Sequence, residues 1–220
     1  MTNSSARWEV KLLFLLLVAG ACLLAGAARA TDYETVALPA ADDVSLPFLC
    51  SWGYDWEERC YRDRLERLEL GGAGDKVWRS ELRFLLDALP PSATILSAEL
   101  RLRYDGTCVA PLRRTIPCDG RDFSMEVRPI YTEDWYSRRE VAFGPAIAYA
   151  ELDPGAAPQW VVWDLTDIVA EWLLGAAPND GILLKLLDEQ ESYDEGGPAL
   201  PSSRYADAEL RPRLVVTYMT

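Results

Sequence analysis

The sequence predicts an all-β protein: an antiparallel β-sandwich of jelly-roll-like shape, with one short helix across an end, following a cleaved signal peptide. Three observations carry this reading. Apolar and polar residues alternate in run after run, the period of a half-buried strand. Gly- and Pro-rich segments interrupt the runs at short intervals. The long amphipathic helices needed for parallel crossovers are missing, and only one short helical stripe is present.

Residues 1–30 read as a signal peptide. Arg7 and Lys11 precede the apolar run from Leu12 to about Gly26, and Ala28-Arg29-Ala30 places small residues where a signal peptidase reads. An uncleaved anchor is the rival, but the run is short for a bilayer span. Ala19-Gly20-Ala21-Cys22 is faintly similar to a lipoprotein box, without the usual leucine, so the mature form meets a membrane only if Cys22 is lipidated. The expected location is secreted or extracellular. One domain is expected from 31 to 220, with an N-terminal strand and a disulfide-loop insertion over 31–76 and the sandwich core over 77–220.

Within that domain, Leu82, Phe84 and Leu86 lie on one side of a strand, and Ala88-Leu89-Pro90-Pro91-Ser92-Ala93 forms the connection after it. Next, Leu96, Ala98, Leu100, Leu102 and Tyr104 are expected to point inward, with Ser97, Glu99, Arg101 and Arg103 in water. Phe123, Met125 and Val127 alternate likewise, and further strands fall at 160–163, 182–187 and 214–218. Leu165, Ile168, Val169, Trp172 and Leu173 recur at helical spacing. Asp164 or Thr166 can cap this helix and Gly175 ends it. Trp172 is expected to plug the core. Gly71-Gly72-Ala73-Gly74-Asp75 reads as a flexible turn, and it lacks the lysine and hydroxyl of a phosphate-binding loop.

These segments, in order, resemble the DNRLRE family of secreted β-sandwich domains, which overlaps a family of carbohydrate-binding modules. The resemblance rests on Arg79-Ser-Glu-Leu-Arg-Phe-Leu-Leu86, Ala93-Thr-Ile-Leu-Ser-Ala-Glu-Leu-Arg-Leu102 and Trp163-Asp-Leu-Thr-Asp-Ile-Val-Ala-Glu-Trp172. Asn179-Asp-Gly-Ile-Leu-Leu-Lys185 and Arg211-Pro-Arg-Leu-Val-Val-Thr-Tyr218 complete it, so that it spans roughly residues 77 to 218. It implies a jelly-roll-like extracellular module without catalysis. The matched segments are framework and bring no binding residue with them. The family's Trp-Asn-x-x-Pro-like element is replaced by Val141-Ala-Phe-Gly-Pro145, which lacks the tryptophan.

Composition narrows the function. The net charge is −13, and it becomes two units more negative once Arg7, Lys11, Arg29 and Glu9 are removed. Such a chain repels nucleic acid and anionic membrane. No histidine is present, which excludes Ser-His-Asp and Cys-His catalysis and histidine-ligated zinc or iron. Cys50, Cys60, Cys108 and Cys118 remain after cleavage. Three connectivities are possible, and the two ten-residue spacings favour Cys50–Cys60 and Cys108–Cys118; close C-x-x-C pairs for zinc are absent.

The sequence suggests three functions. The first is a non-catalytic module for a polysaccharide or cell-surface component. Trp52, Tyr54 and Trp56 would stack on sugar with Asp55 as acceptor, inside the Cys50–Cys60 loop. The competing structural reading folds those rings inward. The second is an adhesive protein–protein domain. The third is a two-carboxylate glycoside hydrolase, which no residue spacing singles out. No cofactor is expected. Asp188, Glu191 and Asp194 form a weak calcium candidate whose spacing is not that of an EF-hand, and a solvated acidic loop is the plainer reading.

Overall fold

The computed structural model describes residues 32–47, 66–73, 76–110, 114–118, 120–131, 142–187, 189 and 196–220. In chain order the strands begin with β1 (Tyr33–Pro47), β2 (Arg67–Glu69), β3 (Gly71–Ala73), β4 (Lys76–Phe84) and β5 (Thr94–Tyr104). They continue with β6 (Thr107–Ala110), β7 (Arg114–Pro117), β8 (Phe123–Pro129), β9 (Ala148–Leu152) and β10 (Gln159–Asp164). Helix α1 (Thr166–Leu174) precedes β11 (Ile182–Leu186), β12 (Gly197–Pro201) and β13 (Arg213–Met219).

The main sheet runs β10-β5-β13-β1-β4-β11-β8-β9, with β3 paired to the start of β4; every pairing among the described strands is antiparallel. β1 joins its two halves. Tyr33 to Pro39 pair with β13, and Ala40 to Pro47 pair with β4 after a register shift between Ala40 and Asp42. Such a bulge bends a strand. The far edges, β9 and β10, lie against each other, so the sheet wraps into two facing layers. A second sheet, β2-β12-β6-β7, packs on both layers through β12 against β5 and β2 against β4. By internal contacts Tyr33–Thr220 form one unit.

The core follows the predicted alternation. Ala98, Leu100, Leu102 and Tyr104 of β5 meet Leu82 and Phe84 of β4, Met125 and Val127 of β8, and Leu214 and Val216 of β13. Leu96 departs from the expectation. The β13 register slips from Thr217 opposite Ser97 to Tyr218 opposite Ile95, so Ile95 packs on the core and Leu96 is 48% exposed. Gly71–Ala73 are likewise not a simple turn but β3, paired residue by residue with β4.

The connection after β4 makes two tight turns, Leu89 N–H to Leu86 O and Ala93 N–H to Pro90 O. Helix α1 buries Ile168, Val169 and Trp172, and Trp172 belongs to the core as predicted. Gly175 closes it at φ 69°, a left-handed conformation that costs glycine little. Cys108 and Cys118 are disulfide-bonded, bracing the β6–β7 hairpin.

Between the layers and the small sheet lies a seam of short hydroxyls. Ser45 Oγ and Ser80 Oγ are 3.0 Å apart, Ser45 accepts from the Glu69 amide, and Ser80 donates to the Glu69 carbonyl. Small hydroxyls here satisfy backbone groups that an apolar pair would leave stranded.

Candidate binding site

A groove of about 480 Å3 runs beside the first turn of α1, between the helix and the β8–β9 connection. Clefts that hold small ligands span roughly 300–1,000 Å3. Two tyrosines, Tyr131 and Tyr149, line it and are 49% and 62% exposed. Ile147 adds an exposed apolar surface, and Asp164, Asp167 and Glu171 supply carboxylates; among the described residues the lining contains neither lysine nor arginine.

Local backbone bonds place each wall. The Tyr131 amide donates to Ala142 O and the Gly144 amide to Pro129 O, both at 2.9 Å, which folds the chain back after β8. A Cβ at Gly144 would stand 2.8 Å from Tyr131 Cε2 and 2.9 Å from its hydroxyl, so glycine makes the room in which the ring lies. The Ile147 amide donates to Val127 O at 2.9 Å, and β9 then carries Tyr149 opposite Glu126.

On the helical wall, the Leu165 amide donates to Ala98 O, and Thr166 Oγ1 accepts from the Ala98 amide at 3.0 Å. Asp164 accepts from the Thr166 amide at 2.9 Å and from its hydroxyl at 2.5 Å. Those two bonds favour the anion and hold the Asp164 carboxyl below its ordinary range. Asp164 ends β10, and Asp167 and Glu171, four residues apart on α1, share one helical face beside it.

A second set of charges lies under the outer face of β4, β8 and β11. Glu126 pairs with Arg128 at 2.7 Å and Lys185 at 3.0 Å, while Glu189 takes two bonds of 2.7 Å from Arg79. Burial pushes Glu126 up, yet the hydrogen bonds and charges of Arg128 and Lys185 outweigh it and hold its carboxyl low. Arg79 and Arg128 both lie over the ring of Phe143, at 5.5 and 5.4 Å. Phe143 packs beside Val44, Ile130 and Leu183. These mutually paired charges hold elements together.

No protein-family model and no curated protein matches the sequence.

The predicted sites have different outcomes. Cys108–Cys118 is formed. Residues 1–30 with Cys22, the loop bearing Cys50, Trp52, Tyr54, Asp55, Trp56 and Cys60, and Asp188, Glu191 and Asp194 lie outside the described residues. Among the described residues no three His, Cys, Asp or Glu side chains are grouped to hold a metal ion, and no helix is long and apolar enough to cross a membrane. Tyr131 and Tyr149 were not singled out by the sequence reading. Their one sequence signal is Tyr149, the outward residue of the alternating run Ala148-Tyr-Ala-Glu-Leu152.

Proposed function

We propose that the protein is a non-catalytic extracellular module that binds carbohydrate through the groove beside α1. One observation carries the reading: two exposed tyrosines and three carboxylates converge on a single groove. Sugar rings offer C–H faces to aromatic surfaces and hydroxyls to carboxylates, and this lining provides both. The resemblance to the DNRLRE family supports the same class.

Affinity electrophoresis against a panel of neutral polysaccharides tests this. At least one should retard the wild type, and Tyr149→Ala or Tyr131→Ala should weaken that binding about tenfold, the loss of roughly 1.4 kcal/mol of stacking. Loss in Trp52→Ala and Trp56→Ala, with the tyrosine variants unaffected, would move the site to the Cys50–Cys60 loop. Retardation by no polysaccharide would overturn the reading; a stable oligomer in solution would then favour adhesion, and release of reducing sugar a hydrolase.

A further inference from the structure

The outer face of β5, β10 and β13 carries Glu99 and Asp164 at the end next to the groove and a cluster of arginines beyond them. Strand alternation buries Leu100, Leu102 and Leu214 and turns Arg101, Arg103 and Arg213 outward. Arg213 stands directly opposite Arg101, and Trp160 directly opposite Arg103. Like charges placed opposite each other across strands destabilise a sheet. Only Arg101 is neutralised locally, by Glu99 at 2.6 Å. Arg103 and Arg213 form no ion pair with a carboxylate among the described residues, although the chain has 35 acidic residues against 22 basic ones. Instead both guanidiniums lie over the Trp160 ring, at 5.6 and 4.3 Å from its centre, and Arg213 also donates to Glu209 O at 2.9 Å.

The geometry points to a second binding site on this face, Arg103, Arg213 and Trp160, for an acidic polysaccharide. The indole holds two guanidiniums in place, which lowers the ordering cost of binding an anion. A guanidinium fork matches a planar carboxylate or a sulfate. Arg213 stands opposite Arg101, so Arg103 and Arg213 are diagonal neighbours on adjacent strands, about 7–8 Å apart. Cations so spaced on a sheet face suit successive charged groups along an extended chain better than one enclosed ion. Nucleic acid fits less well. Single strands need open aromatic faces, whereas guanidiniums lie over Trp160. The polymer class rests on the carbohydrate-binding reading; the site does not use the groove.

The test measures affinity of the full chain for polygalacturonate, its fully methyl-esterified neutral form, a sulfated polysaccharide and a single-stranded DNA oligomer. The expected result is binding of an acidic polymer that weakens steeply between about 50 and 300 mM salt. Arg103→Gln/Arg213→Gln should weaken it at least tenfold at low salt, and Arg103→Lys/Arg213→Lys by less. Tyr131→Ala/Tyr149→Ala should leave it intact. Preference for polygalacturonate assigns the charge to carboxylate, and preference for the sulfated polymer assigns it to sulfate. Equal affinity of the methyl ester, an unchanged double glutamine variant with a wild-type melting curve, or tighter binding of DNA overturns the proposal while leaving the groove untouched. Failure of every polysaccharide overturns both readings.

Discussion

A methyl group added at Gly197 would lie 2.1 Å from the carbonyl oxygen of Leu70, and one added at Gly144 would lie 2.8 Å from the ring of Tyr131. Both are too close for a side-chain carbon, the first by far the more so, and the neighbours differ. Leu70 O is backbone, next to the bond from the Leu70 amide to Pro198 O that seats β12. Gly197→Ala must therefore shift a main-chain segment, and overpacking of this kind costs about 1–3 kcal/mol. A thermal melt should show a fall of roughly 2–12 °C. The tyrosine ring can swing aside. Gly144→Ala should leave the melting temperature within about 1–2 °C of wild type but weaken glycan binding, because Tyr131 no longer lies in its groove position. Equal melting losses in the two variants would contradict this contrast.

The elements divide by where their information resides. Helix α1 was legible because Leu165, Ile168, Val169 and Trp172 recur at helical spacing, and the alternation of Ala98, Leu100, Leu102 and Tyr104 located β5. Leu96 was misplaced because a bulge depends on the register of the partner strand, which β5 alone does not encode. β3 was missed because its glycines have no strand preference of their own; β4 supplies its pairing. The groove was half legible. Asp164 was legible as a residue at the helix start, and Asp167 and Glu171 stand four apart on the helical pattern, but Tyr131 and Tyr149 reach them only through the β8–β9 connection. Thr166 shows the same dependence on tertiary context, since its hydroxyl serves Asp164 within the helix start and Ala98 on β5. Thr166→Val should cost about 1–2 kcal/mol by stranding the Ala98 amide. An NMR titration should show the Asp164 pKa rising toward its ordinary range; an unmoved Asp164 would contradict the assigned cause.

Over the whole molecule, opposing carboxylates set the response to acid. Glu126 is held low as described, and for Asp105 desolvation is outweighed by hydrogen bonds from Arg67 and Thr107 and by the Arg67 charge. A carboxyl with a lowered folded pKa stabilises the fold above its unfolded pKa, and that contribution disappears as pH falls through the folded value. Asp43 acts in the reverse sense. Its burial raises the pKa against bonds from the Ser203 amide and the charge of Arg204, so protonation relieves a cost as pH falls. Between about pH 6 and 3, Asp43→Asn should therefore lose stability more steeply than wild type, and Glu126→Gln less steeply, in urea unfolding at each pH. Parallel curves for all three proteins would contradict the assignment.

The way β13 is placed also bears on how the chain reaches this state. β13 lies between β1 and β5, and Tyr33 is matched with Met219 across nearly the whole sequence. Half of the main sheet therefore has no middle until β13, made after the other described strands, arrives, and contacts so distant along the chain make folding slow. A nascent chain still short of Arg213 would hold β1 and β5 apart with their edges open, the condition in which edge strands recruit the wrong neighbour.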